Sequence, residues 1–240
     1  MLGNGDLEFA EFAKEAFMNY GEVDFDDKII NELRDKEKCV NDLLSKKGND
    51  YVKKLLVNFK GESEFDIKIQ SKDNVYSERL KVYVGGQTSP PDNGLITITI
   101  RSSKSLSNSS LGVARTILHE YIHADIFRKL KTKYPTSDEL DFRKSYEEYE
   151  SQHGTMAAIY VASMREALKG FHKSILTDDF NKYTVYYEEE PSDDFYEALA
   201  WQGLSQYGLK AWTDLSDERR NKLTNLSLRV ATLTNSICPN

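Results

Sequence analysis

A long helical pattern between residues 110 and 134 constrains the fold more than any other stretch of the chain. It reads SLGVARTILHEYIHADIFRKLKTKY, with apolar residues at helical intervals until Pro135 stops it. His119 and His123 stand four residues apart in it, so a helix places them on one face, roughly 5–6 Å apart at Cβ. The sequence therefore predicts a buried helix that carries two imidazoles side by side.

The segment HEYIH matches the pattern His-Glu-x-x-His, which is typical of catalytic zinc sites. His119 and His123 can aim ring nitrogens at a single ion, whereas Glu120 sits about 100° around the helix axis. Glu120 is therefore suited to take a proton from a water on the metal. The alternative is a core helix with incidental histidines, which leaves unexplained why two histidines and an acid interrupt an apolar face. We predict Zn²⁺ as the cofactor, His119 and His123 as ligands, and Glu120 as general base.

A third ligand has to come from beyond this helix, and the downstream candidates are His153, His172, Glu147, Glu148 and Glu150. His153 stands in SQHGTMAAIY, directly before an apolar helical pattern that should hold it rigidly. His172 falls at the far end of that pattern and is expected to be solvated. Glu147 and Glu150 stay open, although SYEEYESQ is charge-dense and typical of a solvated face. We favour His153 as the third ligand.

The rest of the chain predicts an α+β order. Helical periodicity covers DLEFAEFAKEAFMNY, DFDDKIINELRDKEKCVNDLLSKKG and YVKKLLVNF, which gives a helical N-terminal extension over residues 1–60. Alternation in EFDIKIQ, KVYVGGQ and LITITIR predicts a small antiparallel sheet of about three strands over residues 62–103. Further helices are predicted in GTMAAIYVASMREALKGF, DDFYEALAWQGL and SDERRNKLTNLSLRVATL. The expected catalytic domain spans residues 61–240, or forms one continuous domain with the extension.

Composition narrows the classes of partner. The formal net charge is −7, which argues against nucleic-acid binding. No apolar run approaches the ~18 residues of a membrane span, and the start of the chain lacks a signal-peptide pattern. We therefore expect a cytoplasmic protein or an exported domain of a longer one, without membrane insertion. Cys39 and Cys238 lie near opposite ends, and we expect two unpaired thiols, with a disulfide as the alternative.

The combination of HEYIHA, a later QHG and an apolar helix resembles the SprT-like branch of the zincin metallopeptidases. The likeness covers roughly residues 95–172. By resemblance, His119, His123 and His153 hold zinc, Glu120 is the base, the fold is zincin-like, and the strand LITITI is the edge that binds substrate. The zinc-ribbon cysteines of that family are missing, because Cys238 stands alone. No role on DNA is therefore carried over.

The expected activity is hydrolysis of peptide or protein substrates. Tyr149, Tyr160 or the stretch YTVYYEEEP is a candidate to stabilise the developing oxyanion, and Asp125 or Glu197 to support a ligand histidine. One alternative is a zinc hydrolase that acts on a small amide or a cell-wall peptide. Another is a metal-stabilised binding module without catalysis, against which the presence of a base at position 120 argues.

Overall fold

The protein has α+β architecture, which confirms the predicted class. The computed structural model describes residues 29–59, 65–78, 81–133, 156–202, 204–205, 209–233 and 237–238. The strands are β1 (Ile29–Glu32), β2 (Asp66–Lys72), β3 (Tyr76–Ser77), β4 (Val82–Tyr83), β5 (Gly86–Thr88) and β6 (Leu95–Arg101). The helices are α1 (Asp35–Lys47), α2 (Asp50–Val57), α3 (Ser102–Ser107), α4 (Ser110–Lys133), α5 (Met156–Ser174), α6 (Thr177–Tyr187), α7 (Asp193–Trp201), α8 (Lys210–Thr213) and α9 (Asp217–Leu228), with a 3₁₀ turn at Arg229–Thr232.

The main sheet is mixed, and the prediction of an antiparallel sheet is wrong. Its order is β1-β2-β6-β5, with β1, β2 and β6 parallel and β5 antiparallel to β6. Between β2 and β6 the chain forms the separate β3–β4 hairpin and then β5. The chain therefore returns to β2 through a long crossover, as parallel pairing requires.

The first predicted helix that reaches the described residues begins later than expected. Ile29 and Ile30, assigned to a helix from their spacing, lie in β1 opposite Ile67 and Lys68. Asp35, the first residue of α1, takes a φ of 47°, so the backbone turns there from the strand into the helix. β1 thus joins the part of the chain before residue 60 to the main sheet, which favours one continuous domain. The predicted helix in DLEFAEFAKEAFMNY lies outside the described residues.

β6 shows the predicted alternation, but it is not an edge strand. Ile96, Ile98 and Ile100 are fully buried, whereas the residues between them are partly exposed. β6 pairs with β2 on one side and β5 on the other, so the expectation that LITITI binds substrate as an edge is wrong. The edge on this side of the sheet is β5.

The long helix α4 is the centre of the structure. It contacts α1 and α2, strands β5 and β6, and helices α5 and α7. α5 presents the predicted core face, with Tyr160, Met164, Ala167 and Phe171 buried. Among the helices that the structure describes, none is long and apolar enough to cross a membrane.

Cys39 and Cys238 form a disulfide, so the expectation of two unpaired thiols is wrong. The bond links α1 to the C-terminal end of the chain across 199 residues of sequence. Sequence spacing could not show this pairing, because proximity of the two ends arises only from the tertiary fold.

Candidate metal centre

Helix α4 carries the candidate site on a buried face. Its start is capped by Ser109, whose Oγ accepts a hydrogen bond from the Gly112 N–H at 3.1 Å. Further along the helix, His119, Glu120 and His123 are 6%, 4% and 7% exposed. The site therefore lies on a rigid helix interior, where side-chain positions are fixed by packing.

The histidine rings converge as the motif predicts. The Nε2 atoms of His119 and His123 are 2.7 Å apart, so one ring donates a hydrogen bond to the other, and the ring centroids are 4.3 Å apart. Burial lowers the pKa of His123 to about 3. Burial also lowers the pKa of His119, with further contributions from His123 and Arg115. Both imidazoles are therefore neutral near pH 7, which is the form that binds a metal ion.

Glu120 is held by the edge strand β5. The Thr88 hydroxyl lies 2.8 Å from Glu120 Oε2 and 3.0 Å from the Glu120 carbonyl oxygen, and it can donate to either. A Cβ at Gly86 would lie 2.8 Å from both Cγ and Oε1 of Glu120, so any larger residue at position 86 would displace the Glu120 side chain. Burial raises the pKa of Glu120 to about 7, against the opposing effects of Thr88 and Arg115. A carboxyl with a pKa near neutrality is suited to act as a general base.

A cleft of about 230 Å³ opens on the side of Glu120 and His119. One wall comes from α4 with Arg115 and Thr116, and another from residues 82–86, which run from β4 into the start of β5. Lys104 of α3 and Asn108 also line it. The candidate base therefore faces a space that is large enough for part of a small ligand.

The other side of the histidine pair is apolar and closely packed. Tyr160 and Met164 of α5, together with Leu204, line a void of about 10 Å³ against His119 and His123. The first described turns of α5 thus lie beside the histidines. His153 precedes Met156, the first residue of α5, by three positions in the sequence.

The predicted third ligand and its glutamate alternatives belong to a part of the chain that the structure does not describe. His153, Glu147, Glu148 and Glu150 lie outside the described residues, as does Tyr149. Within the described part of the chain, no group of three His, Cys, Asp or Glu residues is arranged to hold a metal. A complete site therefore needs a ligand from residues 134–155 or from another undescribed segment.

His172 is a core residue, and the expectation of a solvated histidine is wrong. Its ring is fully buried, and Nδ1 lies 2.9 Å from the Tyr196 hydroxyl. Burial lowers its pKa to about 4, with a small opposing effect from the backbone of Asp179. The apolar surroundings at the end of α5 come from α6 and α7, which sequence periodicity did not place there.

The residues proposed to support the site have other partners. Asp125 is 2% exposed and accepts hydrogen bonds or ion pairs from Asn58, Arg128, Lys129 and Tyr160. The Tyr160 hydroxyl is thereby turned toward Asp125 instead of toward the base. Both side chains thus take part in a cluster of hydrogen bonds and ion pairs with Arg128 and Lys129.

The remaining candidates lie elsewhere in the fold. Glu197 on α7 pairs with Arg219 of α9 at 2.8 Å. In the stretch YTVYYEEEP, the Tyr183 hydroxyl accepts from Arg229, and Tyr186 is 70% exposed. These contacts are structural links between the C-terminal helices.

Sequence reasoning missed Thr88, Gly86 and Arg115, which all lie within reach of Glu120 or its cleft. Arg115 stands one helical turn before His119, and that spacing could have indicated it. Thr88 and Gly86 carry no local signal, because their approach depends on β5 crossing α4. Comparison of the chain with protein-family models, curated proteins and solved structures finds no match.

Proposed function

We propose that the chain is a zinc-dependent metallopeptidase with a zincin-like arrangement. The observation that carries the proposal is the convergence of the two Nε2 atoms, 2.7 Å apart, beside a buried carboxylate that β5 positions through Thr88. A core helix with incidental histidines does not account for a buried acid held by a hydroxyl from another element. Burial of an acid costs free energy, and buried acids with a raised pKa are concentrated at functional sites.

His119 and His123 would hold the zinc, and His153 is the proposed third ligand. The position of α5 against the histidine pair supports His153, because this helix begins three residues after it. When bound, zinc supplies a Lewis acid that polarises the substrate carbonyl and makes a water molecule more acidic. Neutral buried imidazoles suit this ion.

Glu120 would take a proton from the attacking water and return it to the amine that leaves. Thr88 keeps the carboxylate directed toward the cleft, and the low exposure of Glu120 excludes bulk water from it. The chain's own contribution is therefore a base of suitable pKa in a fixed position.

Among the described strands, β5 is an edge of the sheet, and its outer side is suited to an extended peptide. Gly85 and Ser89 exchange backbone hydrogen bonds with β6, so alternation turns the backbone groups of Gly86 and Thr88 outward. Gly86 also lines the cleft. A substrate strand added at this edge would pass beside Glu120.

Replacement of Glu120 by Gln tests the proposal. The Gln variant should retain one equivalent of zinc and lose roughly 10²–10⁴-fold in peptide turnover, because the proton acceptor is removed. Zinc content by elemental analysis and cleavage of a mixed peptide library are the measurements. A non-catalytic binding module would show no cleavage in the wild type, and a hydrolase of small amides would cleave acyl amino acids but no peptide.

A further inference from the structure

Arg115 lines the cleft, and the proposed hydrolytic steps do not use its guanidinium. The side chain lines the cleft together with His119 and Glu120. Its Nε is buried and has no hydrogen-bond partner among the described residues. Because buried donors are almost always satisfied, this donor is suited to an acceptor that a ligand brings.

Among the described contacts, Glu120 does not accept a hydrogen bond from Arg115. The hydrogen bond to the Glu120 carboxylate comes from Thr88, and in the described part of the chain Arg115 forms no ion pair with it. Both residues nevertheless line the same cleft. Arg115 is thus near the reacting position without being part of the base.

The surroundings of Arg115 add positive charge. Lys104 lines the same cleft, and the Arg101 guanidinium lies 5.2 Å from the ring centre of Tyr83, another residue of the cleft wall. Among the described lining residues, Glu120 is the acid. A chain with net charge −7 therefore has cations on the walls of its candidate cleft.

We infer that this cleft binds a carboxylate of the peptide substrate, with Arg115 as the residue that pairs with it and Lys104 at the same wall. The inference rests on the proposed peptidase function. A guanidinium presents parallel N–H donors that match the two oxygens of a carboxylate, so one arginine can fix both its position and its orientation. The carboxylate comes either from an Asp or Glu side chain or from the C-terminus of the substrate.

Binding to the Glu120→Gln variant tests this inference without requiring turnover. Short labelled peptides are compared in which one Glu is scanned through a neutral sequence, each with a Gln twin and with a free or amidated C-terminus. We expect about tenfold tighter binding for one acidic source, since charge-assisted hydrogen bonds exceed neutral ones by that order. A preference for Glu over Gln indicates a side-chain carboxylate, and a preference for the free terminus indicates the α-carboxylate.

Variants at position 115 test whether Arg115 causes the preference for an acidic peptide. Arg115→Met in the Glu120→Gln background should abolish it, and Arg115→Lys should retain part of it. Arg34→Met is the matched control, because the Arg34 side chain is 60% exposed and does not line the cleft, and it should change nothing. Equal binding of all peptides, no binding of any, or a preference that survives Arg115→Met overturns the inference.

The proposed function has a separate readout. Zinc-loaded wild type that cleaves acidic and neutral peptides with equal kcat/KM keeps the peptidase proposal and overturns the carboxylate site. Acid-selective binding through Arg115 in a protein that cleaves no peptide keeps the carboxylate site and overturns the peptidase proposal.

Discussion

Thr88 makes the contact on which the candidate base depends. Its hydroxyl is 2.8 Å from Glu120 Oε2 and comes from β5, an element separate from the motif helix. Without this donor the Glu120 carboxylate would be free to rotate, and its burial would cost more free energy. The residue therefore acts as a positioning group for Glu120.

Replacement of Thr88 by Val should lower kcat by roughly 10- to 100-fold, because a hydrogen bond to a charged group is lost while the shape is kept. Zinc content should be unchanged, since the hydrogen bonds of the Thr88 hydroxyl go to Glu120 and not to either histidine. The measurement is peptide turnover with parallel metal analysis. Thr97→Val on β6 is the matched control, and equal activity of the two variants would contradict a positioning role.

His172 gives a residue-scale prediction that is independent of the metal centre. Its pKa is about 4 in the folded chain, against about 6.5 when unfolded. As the pH falls, the unfolded state therefore takes up the proton before the folded state does. The contribution of neutral His172 to the free energy of unfolding is fully present above pH 6.5 and is lost as the pH decreases toward 4. The loss across this window should be about 3 kcal/mol.

Urea unfolding at a series of pH values measures this loss, with His172→Asn for comparison. Asn can keep a hydrogen bond to the Tyr196 hydroxyl without titrating, so its stability curve should be flatter between pH 6.5 and 4. Parallel curves for the wild type and the variant would assign the acid sensitivity to other groups.

At the scale of elements, the disulfide joins α1 to the C-terminal end of the chain. Its loop spans 199 residues, so the bond restricts the unfolded chain strongly. Cys39→Ser/Cys238→Ser should lower the free energy of unfolding by roughly 2–5 kcal/mol. Denaturant titrations with and without dithiothreitol test this.

Reductant should shift the wild-type midpoint to that of the double variant and should leave the variant unchanged. A wild-type midpoint that does not respond to reductant would show that the bond contributes nothing to stability. Persistence of the bond in the purified protein would also agree with maturation in an oxidising compartment.

Periodicity predicted the faces of elements better than their partners. The alternation in LITITIR correctly identified Ile96, Ile98 and Ile100 as one buried face. It could not show that β6 pairs with β2 in parallel, because that contact joins segments about thirty residues apart (Ile67 with Ile96). Ile29 and Ile30 suit a helix or a strand equally, and the partner strand decides between them.

The same limit applies to the candidate site. The motif predicted His119, Glu120 and His123 as neighbours because helix geometry alone brings them together. Thr88, 32 residues before Glu120, reaches the site only through the packing of β5 on α4. Residues that reach a site from another secondary-structure element therefore cannot be predicted from sequence spacing.

At the scale of the whole molecule, net charge is a poor guide to the cleft. The sum of −7 includes exposed acids such as Glu188, Glu189 and Glu190, which face water far along the chain from the motif. Solvated charges are screened within about 8–10 Å at ordinary ionic strength, whereas Arg115 acts at contact distance. Local cations therefore decide what the cleft attracts.

If zinc binds as proposed, it should stabilise the entire fold, because the proposed ligands come from α4 and from a separate segment. A ligand that binds only the folded state adds about 4 kcal/mol at a thousandfold excess over its Kd. Each kcal/mol corresponds to a rise of roughly 2–4 °C in Tm for a domain of this size. Chelation of the wild type should therefore lower Tm, and zinc should restore it.

The variants His153→Ala, Glu147→Gln and Glu150→Gln identify the third ligand through this shift. His153→Ala should abolish most of the zinc-dependent rise in Tm, as should His119→Ala, because an open site with fewer ligands binds the ion weakly. The two Glu variants should retain it. Loss of the shift in Glu147→Gln or Glu150→Gln, with retention in His153→Ala, would transfer the ligand role to that glutamate. Without any zinc-dependent shift in the wild type, the metal centre itself would be refuted, and His119 and His123 would be core residues of α4.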